Sequence, residues 1–534
     1  MLWKIIYTSQ ITSQEKLFLE LLKNRGLNTK KEVDEYINPK KYQDLDWKDI
    51  GIKKSEVKKV VTRIENAKLK KEKVVIFGDY DCDGVCATAI LWETLYKYGL
   101  NVMPYIPDRF SEGYGLKPES FENEKFKNLN PKLIICVDNG IVAYDAIKKA
   151  KELGIDVVVI DHHRKEKKKL QTSYVLHSTS VCGAVLAWFV SKEFSKKINL
   201  SNFLELACIG TVADQMPLLG VNRSIVKYGL LALNSTKRIG LKETIKVAGI
   251  KQIGIYEIGF LIAPRINAAG RLNHAIDALR LICTTDTKKA EKLAYDLNKT
   301  NFERQKVVEE VLGLVLKENQ SENVVVVTGK YHEGVIGLAS GRITEKIYKP
   351  SIIISSGEKI SKASARSIEG FNIIEAIKET ELILEGGGHP MAAGFSIETS
   401  KIEKFRQKIN EISQAKLTEE ILERKLKIDL EIDFDFIDNE LVKFLKQLEP
   451  FGQGNYPPIF KTENVEITET KTVGSDGKHL KLKLKQNSKI LDAIWFNSQS
   501  ITTNSQCTIA YTIEENIWNN KSTIQLKIKD LFIG

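Results

Sequence analysis

The sequence contains little cysteine and no long apolar run. Its 534 residues include seven cysteines, an odd number lying mostly within apolar stretches, which argues against a disulfide scaffold. No apolar run approaches the roughly 18 residues that a membrane-spanning helix needs. Near the amino terminus, Glu15 and Lys16 interrupt the chain before the apolar core of a signal peptide could form. We therefore expect a soluble cytoplasmic protein with free thiols and no membrane association.

The chain also lacks a large excess of charge of one sign. Eighty basic residues against sixty-nine acidic ones leave a net charge of +11. This balance permits a polyanionic partner without requiring one. At roughly 150 residues per domain, the length predicts three or four domains and excludes a mini-protein.

The pattern of apolar residues changes several times along the chain, which predicts separate domains. Short β-branched runs alternate with helical stretches from Val74 onward, as is typical of a parallel, doubly wound sheet, and a second alternation starts at residue 324. Residues 287–318 predict one long helix, and strictly alternating strands near the end predict a small barrel or sandwich. The predicted segments are a helical N-terminal leader 1–70, a parallel-sheet domain 71–225, a helical connector 226–320, a smaller α/β domain 321–415, a linker 416–455 and a β-domain 456–534.

Acidic residues follow the predicted strands at several points. One aspartate after a strand is most often a turn or helix-cap residue, and two adjacent histidines could equally form a surface or core pair. Ligands of open α/β sheets gather at the carboxyl ends of strands, so several clusters in that position favour one common site. The candidate residues are Asp79, Asp81, Asp83, Asp138, Asp161, His162, His163 and Asp214.

Carboxylates that converge at one sheet edge need bound cations. Two of them within about 4 Å repel each other by roughly 4 kcal/mol at an effective dielectric near 20. Two divalent ions would balance Asp81, Asp83, Asp138 and Asp214, and His162 adds an imidazole ligand. This ligand set suits Mn²⁺ or Mg²⁺ better than Zn²⁺. Such ions, about 3.5–4 Å apart, would clamp a phosphate and activate a water molecule as nucleophile.

Several motifs carry a resemblance to a known family. GDYDCDG, VDNG, DHH and VADQMPL resemble the four signature motifs of the DHH phosphoesterase superfamily. PDRFSEGYG, APRINAAGR, YHEGVIGLASGR, ASARS, GGGHPMAAG and EPFGQGNYPP stand in the order found in RecJ-type single-strand-specific DNA exonucleases. The resemblance implies an α/β protein in which a parallel-sheet DHH domain is joined by a long helix to a smaller α/β DHH-associated domain, followed by a C-terminal OB-like β-barrel.

The resemblance also implies the metal-binding residues. Many superfamily members have a histidine four residues before the first liganding aspartate, whereas this chain has Phe77 there. Either one of the two ions is weakly held and enters mainly with substrate phosphate, or a water molecule takes the missing position. Asp79 and Asp161 are expected to support the ligands or contact phosphate, and His163 to join the catalytic set. The implied ligands are Asp81, Asp83, Asp138 (as a bridge), His162 and Asp214.

Further residues are implied to hold the strand. Arg109, Ser364 and Arg366 would surround the terminal 5′ phosphate and give 5′→3′ polarity. Taken alone, Arg109 would be interpreted as an ordinary surface arginine, and His332 as a structural histidine. The three consecutive glycines 386–388 would be interpreted as a tight turn. The other implied contacts are Arg265, Asn267, Arg271, His332, Gly386, Gly387, Gly388 and His389.

One predicted strand of the terminal domain has a lysine-rich face. Lys481, Lys483 and Lys485 alternate with leucines, so one face would join the core and the other would present a lysine stripe. The stripe suits a phosphate backbone, and the resemblance to an oligonucleotide-binding barrel favours that interpretation. The alternative is a solvated edge strand protected by its lysines.

These features together predict a metal-dependent exonuclease. The expected activity is hydrolysis of single-stranded DNA from the 5′ end to 5′ mononucleotides by metal-activated water, in DNA repair and recombination. The expected partner is single-stranded DNA, with a helicase and a single-strand-binding protein as further partners, and the expected state is a monomer. The alternatives are an oligoribonucleotide or dinucleotide phosphodiesterase and a non-catalytic nucleic-acid binder of the same fold. The terminal barrel argues against the first, and the intact acidic set argues against the second.

Overall fold

A computed structural model describes most of the chain. The described residues are 1–7, 11–195, 203–272, 274–318, 322–474, 477–498, 501, 503, 505–518 and 521–533. Among them, no helix is both long and apolar enough to cross a membrane, and no disulfide joins the cysteines. The chain divides into two compact units. One combines Met1–Ile52, Asp214–Leu233 and Lys425–Gly534, and the other combines Lys53–Ala213 and Asn234–Arg424.

The strands are numbered in chain order. They are β1 (Leu2–Ile5), β2 (Lys73–Phe77), β3 (Asn101–Tyr105), β4 (Leu133–Val137), β5 (Asp156–Asp161), β6 (Val175–His177), β7 (Val325–Gly329), β8 (Ser351–Ser355), β9 (Ile360–Arg366), β10 (Ile383–His389), β11 (Ala392–Glu398), β12 (Lys425–Ile428), β13 (Leu430–Glu431), β14 (Phe460–Val473), β15 (His479–Gln486), β16 (Lys489–Phe496), β17 (Gln506–Trp518) and β18 (Lys521–Ile533).

The α-helices are numbered in the same way. They are α1 (Gln14–Lys23), α2 (Lys30–Ile37), α3 (Lys54–Leu69), α4 (Cys82–Lys97), α5 (Glu124–Lys127), α6 (Tyr144–Glu152), α7 (Gly183–Ser195), α8 (Leu204–Ala213), α9 (Gly220–Asn234), α10 (Ile239–Val247), α11 (Ala263–Leu272), α12 (Ile276–Cys283), α13 (Thr287–Glu318), α14 (Glu333–Ile347), α15 (Ile373–Glu379), α16 (Ile402–Lys416), α17 (Glu419–Leu422) and α18 (Asn439–Leu448).

The larger unit contains the predicted parallel sheet. Its order is β3-β2-β4-β5-β6, with every pair parallel, and its central strands are buried β-branched runs, as expected for a sheet covered on both faces. Phe77 is level with Cys136, and Val137 is level with Ile160. Strands β2, β4 and β5 therefore end at one edge, where the loops that follow them meet.

A helical connector leads from this sheet to a second one in the same unit. The predicted long helix is α13, which packs against α10, α11 and α14. The second sheet has the order β10-β11-β9-β8-β7; only the β7–β8 pair is parallel. Helices α14, α15 and α16 contact this smaller sheet or one another, which confirms the predicted second α/β domain.

The smaller unit is built around a β-barrel. Strands pair in the order β14-β15-β16-β18-β17, and β14 also pairs with β17, so these strands close on themselves. Leu480, Leu482 and Leu484 of β15 are buried in the barrel core. The expectation of a C-terminal OB-like barrel is thereby confirmed.

Segments distant in sequence complete this smaller unit. Leu17 and Leu21 of α1 share its core with Leu441 and Leu448 of α18, a helix that lies within the segment predicted as a linker. The fully buried Arg223 lies over the ring of Tyr36 and donates to four main-chain carbonyls, those of Tyr36, Gln447, Leu448 and Glu449. Three of these carbonyls lie at the C-terminal end of α18, where an α-helix otherwise leaves carbonyl groups without partners. Helices α1 and α2 thus pack with the barrel as part of one core.

Candidate metal centre and phosphate cleft

Asp79, Asp81 and Asp83 lie where β2 passes into α4. Asp81 is the N-cap of α4 and its Oδ1 accepts a hydrogen bond of 2.9 Å from the Gly84 N–H. Asp83 lies in the first turn of the helix. Its two oxygens accept from the main-chain N–H groups of Gly183 and Ala184, at 2.7 and 2.9 Å, at the start of α7. The N-terminal end of α7 therefore fixes the position of the Asp83 carboxylate.

Asp138 and the Asp161–His163 segment lie at the ends of β4 and β5. Asp138 has a left-handed backbone with φ of 61°, an uncommon conformation that aspartate tolerates. The Nε2 atom of His162 lies 3.1 Å from Asp138 Oδ1 and 3.9 Å from Asp83 Oδ2. Asp161 Oδ1 lies 2.8 Å from Nδ1 of His163, which orients that half-exposed ring.

Two overlapping sets of these side chains bring potential ligand atoms within 4.8 Å of one another. One set is Asp79, Asp81 and Asp138, and the other is Asp138, His162 and His163. Asp138 is common to both sets. A carboxylate that bridges two metal ions would have to be shared in this way. Asp79, predicted to support the ligands, lies here among them.

The electrostatics of the cluster fit a bound cation. Burial raises the pKa of the Asp79, Asp81 and Asp138 carboxyls, and neighbouring aspartates raise each of them further. Burial also lowers the pKa of His162, which favours the neutral imidazole that binds metals. The Oδ1 atom of Asp79 is buried and has no hydrogen-bond partner among the described residues. An oxygen of this kind is available to a divalent ion.

Two further positions discussed in the sequence, Phe77 and Asp214, lie outside these two sets of side chains. Phe77 is fully buried and packs against Tyr105 and Phe126, with ring centroids 5.4 and 5.7 Å away, so it offers no ligand. Asp214 directly follows α8 and belongs to the smaller compact unit. Its role as a ligand stays a prediction.

Two glycines that the sequence analysis did not single out determine the packing at the centre. A Cβ at Gly183 would lie 2.6 Å from Asp138 Oδ1, and one at Gly210 would lie 2.4 Å from Asp83 Oδ1. Contacts this short do not occur between unstrained atoms. Both glycines lie in helices, where composition alone gives no reason to expect them, so only the tertiary contacts identify their role.

Replacing Gly183 by Ala should therefore weaken metal binding. Because the new methyl group would displace Asp138, we expect Mn²⁺ affinity to fall by roughly 10- to 100-fold, the range typical of disturbed ligand positioning. Isothermal titration with Mn²⁺ measures the effect. The matched control is Gly313→Ala in α13, where a Cβ meets nothing within 4 Å. That variant should keep its Mn²⁺ affinity and gain up to about 1 kcal/mol of stability. Wild-type affinity in Gly183→Ala would contradict the proposed packing role.

A basic cleft lies beside the centre in the same unit. It has a volume of about 590 Å³, and its charged lining side chains are four basic and two acidic. The guanidinium of Arg109 lies 5.0 Å from the ring of Tyr80, which stands between Asp79 and Asp81. The lining residues of the cleft include Arg109, Arg271, Glu333, Lys362, Ser364, Arg366, Glu385, Gly386 and Ser396.

The arginines of the cleft are held by neighbouring groups. Arg366 donates to the Ala365 carbonyl at 2.8 Å and to Ser364 Oγ at 3.4 Å, and burial lowers its pKa. Arg271 donates to the Gly334 carbonyl at 3.1 Å. Burial, with a smaller contribution from Arg109, lowers the pKa of Arg271 to about 10, so its guanidinium remains charged at neutral pH. The structure thus brings the predicted Arg109, Ser364, Arg366 and Arg271 together.

Other predicted contacts have different surroundings. Arg265 donates to the Leu261 carbonyl and to Asn298 Oδ1, at 2.6 and 3.0 Å. Asn267 Oδ1 accepts a 2.7 Å bond from the Cys82 N–H and so holds the first turn of α4. Exposed His332 is the N-cap of α14.

The predicted glycine turn is part of an edge strand. Gly386, Gly387, Gly388 and His389 all lie in β10, exposed at the edge of the second sheet. Gly386 lines the cleft, and the other three continue the strand.

A hydrogen-bonded lysine–glutamate ion pair with a serine lies in the cleft and was not predicted from the sequence. Lys362 Nζ donates to Glu385 Oε1 at 3.0 Å and to Ser396 Oγ at 2.7 Å, and Ser396 donates to the same carboxylate at 3.0 Å. The three residues lie on neighbouring strands of the second sheet. No sequence motif signals them, because strand pairing alone brings them together.

The lysine stripe in the barrel has the predicted orientation but also has acidic neighbours. Lys483 Nζ lies 2.9 Å from Glu469 Oε1, and Lys485 Nζ lies 3.8 Å from Glu466 Oε2, both on the adjacent strand β14. Lys481 lies opposite Lys471 of β14. Part of the positive charge of the stripe is thus neutralised within the sheet, and its role in DNA binding stays a prediction.

Comparison with known proteins connects this arrangement to one family. Three family profiles match the chain: the DHH family N-terminal domain over 73–211, the DHHA1 domain over 319–415 and the RecJ OB domain over 428–530. The single-stranded-DNA-specific exonuclease RecJ of Bacillus subtilis is 34% identical over 541 residues, which cover 97% of this chain and 68% of that protein. The chain belongs to the RecJ exonuclease family.

Other RecJ proteins support the same relationship. RecJ of Thermus thermophilus is 30% identical over 88% of this chain and 70% of its own length. The crystal structure of T. thermophilus RecJ in complex with Mn²⁺ matches with a TM-score of 0.83 and 25% identity, over 99% of this chain and 79% of that one. A structure of exonuclease RecJ bound to manganese matches with a TM-score of 0.62 and 30% identity, over 71% of this chain and 98% of that one.

Proposed function

We propose that this RecJ-family chain is a metal-dependent exonuclease that hydrolyses single-stranded DNA from the 5′ end and releases 5′ mononucleotides. The observation that carries the proposal is the buried carboxylate–histidine cluster directly beside a cleft lined by Arg109, Ser364 and Arg366. The first feature suits divalent metal ions, and the second suits a terminal phosphate.

The metal-binding residues are proposed from the two overlapping sets. Asp79, Asp81 and Asp138 would hold one ion, and Asp138 with His162 would hold the other, with Asp83 and Asp214 completing the predicted set. When bound, Mn²⁺ or Mg²⁺ supplies a nucleophilic water at neutral pH and stabilises negative charge on the phosphoryl oxygens. The presence of two ions, one weakly held, belongs to this proposal.

The protein's own residues orient the strand for the reaction. Arg366 and Ser364 would hold the terminal phosphate by charge-assisted hydrogen bonds, which fixes the first phosphodiester near Asp138. His163, oriented by Asp161, would exchange a proton at its other ring nitrogen, Nε2, which lies 3.3 Å from the Tyr114 hydroxyl oxygen. The barrel would bind the rest of the strand. A cytoplasmic monomer working with a helicase and a single-strand-binding protein, in DNA repair and recombination, completes the proposal.

Product analysis on end-labelled single strands tests the proposed activity. With Mn²⁺ or Mg²⁺, a 5′-labelled strand should release labelled mononucleotide at once, whereas a 3′-labelled strand should shorten progressively. EDTA should stop both reactions, and duplex of the same sequence should remain intact. Cleavage of dinucleotides alone would favour the oligoribonucleotide or dinucleotide phosphodiesterase. Binding without cleavage in the presence of metal would favour the non-catalytic binder.

A further inference from the structure

The segment that follows the DHH motif is strongly basic. Residues 164–169, here called the basic loop, have the sequence RKEKKK, so five of six carry positive charge. In the whole chain, basic residues number 80 of 534. All six loop residues are exposed. Such a local excess of charge faces solvent without contributing to the core.

The loop begins beside the metal centre. It starts directly after His163, and the chain returns in β6, which pairs with β5. His177 Nε2 lies 2.7 Å from the His163 carbonyl oxygen, and Thr172 Oγ1 donates to the Val157 carbonyl at 2.7 Å. Six residues span at most about 20 Å, so the whole basic loop stays within that distance of His163.

The charges of the basic loop are largely unneutralised. In the part of the chain that the structure describes, Lys168 alone among its five basic residues forms an ion pair, at 3.5 Å with the exposed Asp145. Lys168 Nζ also lies 4.9 Å from the ring of Tyr144. Glu166 is the single acidic residue of the loop. The lysine stripe of the barrel differs, because Lys483 and Lys485 face glutamates of β14.

We propose that the basic loop is a second binding surface for the phosphate backbone of the single strand, outside the cleft. Lysines are compact charges on flexible stems, so an exposed series of them suits phosphates without reading the bases. A strand attached to both the loop and the cleft would be held at two places in the unit that contains the carboxylate cluster. The inference rests on the proposed function, since it assigns the loop to the same substrate.

The test compares two triple variants of the loop with the wild-type chain. The variant Lys165→Gln/Lys167→Gln/Lys169→Gln removes three charges, and Lys165→Arg/Lys167→Arg/Lys169→Arg keeps them. The matched control is Lys288→Gln/Lys289→Gln/Lys292→Gln, which removes three equally exposed charges from α13. Binding of a 5′-phosphorylated strand of about 30 nucleotides, longer than the roughly 4–16 that one OB fold covers, is measured against salt in EDTA, which keeps the strand intact.

Only the loop glutamine variant should change the salt dependence. If each lysine contacts one phosphate, the slope of log affinity against log salt should fall by about 2, and affinity at 0.1 M salt should fall by roughly 10- to 100-fold. The arginine variant and the α13 control should bind like the wild type. An unchanged slope in the glutamine variant, or an equal change in the control, would overturn the inference.

The assay also separates this inference from the proposed function. Because binding is measured without cleavage, a wild-type chain that binds the strand but never cuts it with Mn²⁺ would refute the function and leave the loop result valid. A final measurement compares binding of DNA with binding of an acidic peptide. An acidic polyglutamate peptide that binds the wild-type loop while DNA does not would assign the surface to a protein partner and overturn the inference.

Discussion

Asp138→Asn is expected to reduce hydrolysis of single-stranded DNA by at least about 1,000-fold at saturating Mn²⁺. Asn has nearly the shape of Asp but lacks the charge, and Asp138 is the residue shared by both potential ligand sets. The loss should exceed the effect of a single transition-state donor, about 100- to 1,000-fold, because two ions would lose a ligand together. The rate of mononucleotide release at saturating strand measures it.

A matched control separates this effect from a general change of charge. Asp34→Asn removes an exposed carboxylate on α2, outside the cluster, the cleft and the lysine-rich segments, and should leave the rate unchanged. Thermal unfolding in EDTA should show that Asp138→Asn is folded and at least as stable as the wild type, since removing one buried carboxylate relieves repulsion among the others. A folded Asp138→Asn protein that digests DNA at the wild-type rate would show that the metal centre has been assigned wrongly.

Arg366→Met is expected to remove the preference for strands with a 5′ phosphate. A hydrogen bond to a charged group contributes about 1.5–3 kcal/mol, so kcat/KM on 5′-phosphorylated DNA should fall by roughly 10- to 100-fold. Strands with a 5′ hydroxyl lack the terminal phosphate dianion and should lose much less. Methionine retains most of the side-chain volume in this partly buried position, which limits damage to packing.

The control for Arg366→Met lies on the neighbouring helix. Arg342 of α14 is exposed and pairs with Glu345, so Arg342→Met should leave both substrates unaffected. The informative quantity is the ratio of kcat/KM between phosphorylated and unphosphorylated strands. A parallel loss on both substrates would show that Arg366 holds the strand elsewhere, and an unchanged ratio would remove it from the terminal phosphate.

The sequence was sufficient to predict the fold and the convergence of most of the candidate metal ligands. Each strand that carries a ligand is a buried β-branched run, and parallel strands place their carboxyl ends at one edge. In the structure Val137 is level with Ile160, so Asp138 and Asp161, the next residues of the two strands, lie at the same edge. The long helix 287–318 followed from the spacing of its apolar residues. These predictions rest on local periodicity, which a single sequence contains.

Contacts between segments far apart in sequence could not be predicted in the same way. Gly183 and Gly210 matter because of the side chains they approach, and helical periodicity contains no sign of them. Lys362 of β9 and Glu385 of β10 meet across β11, the strand that pairs with both. The glutamates opposite the lysine stripe depend on the register between β14 and β15. Each of these contacts depends on how two distant chain segments pack or pair, which the composition of the segments does not determine.

The bond between Asn267 and the Cys82 amide has a consequence for modularity. The two residues are 185 positions apart, yet the connector helix α11 clamps the first turn of α4, and a Cβ at Gly270 would lie 2.7 Å from the Tyr80 carbonyl oxygen. The loop between β2 and α4, which carries Asp79 and Asp81, therefore depends on contacts from outside the first sheet. The conformation of this loop is stabilised in part by α11, which lies much later in the sequence. Substitutions in one of these two segments therefore constrain the substitutions that the other can accept.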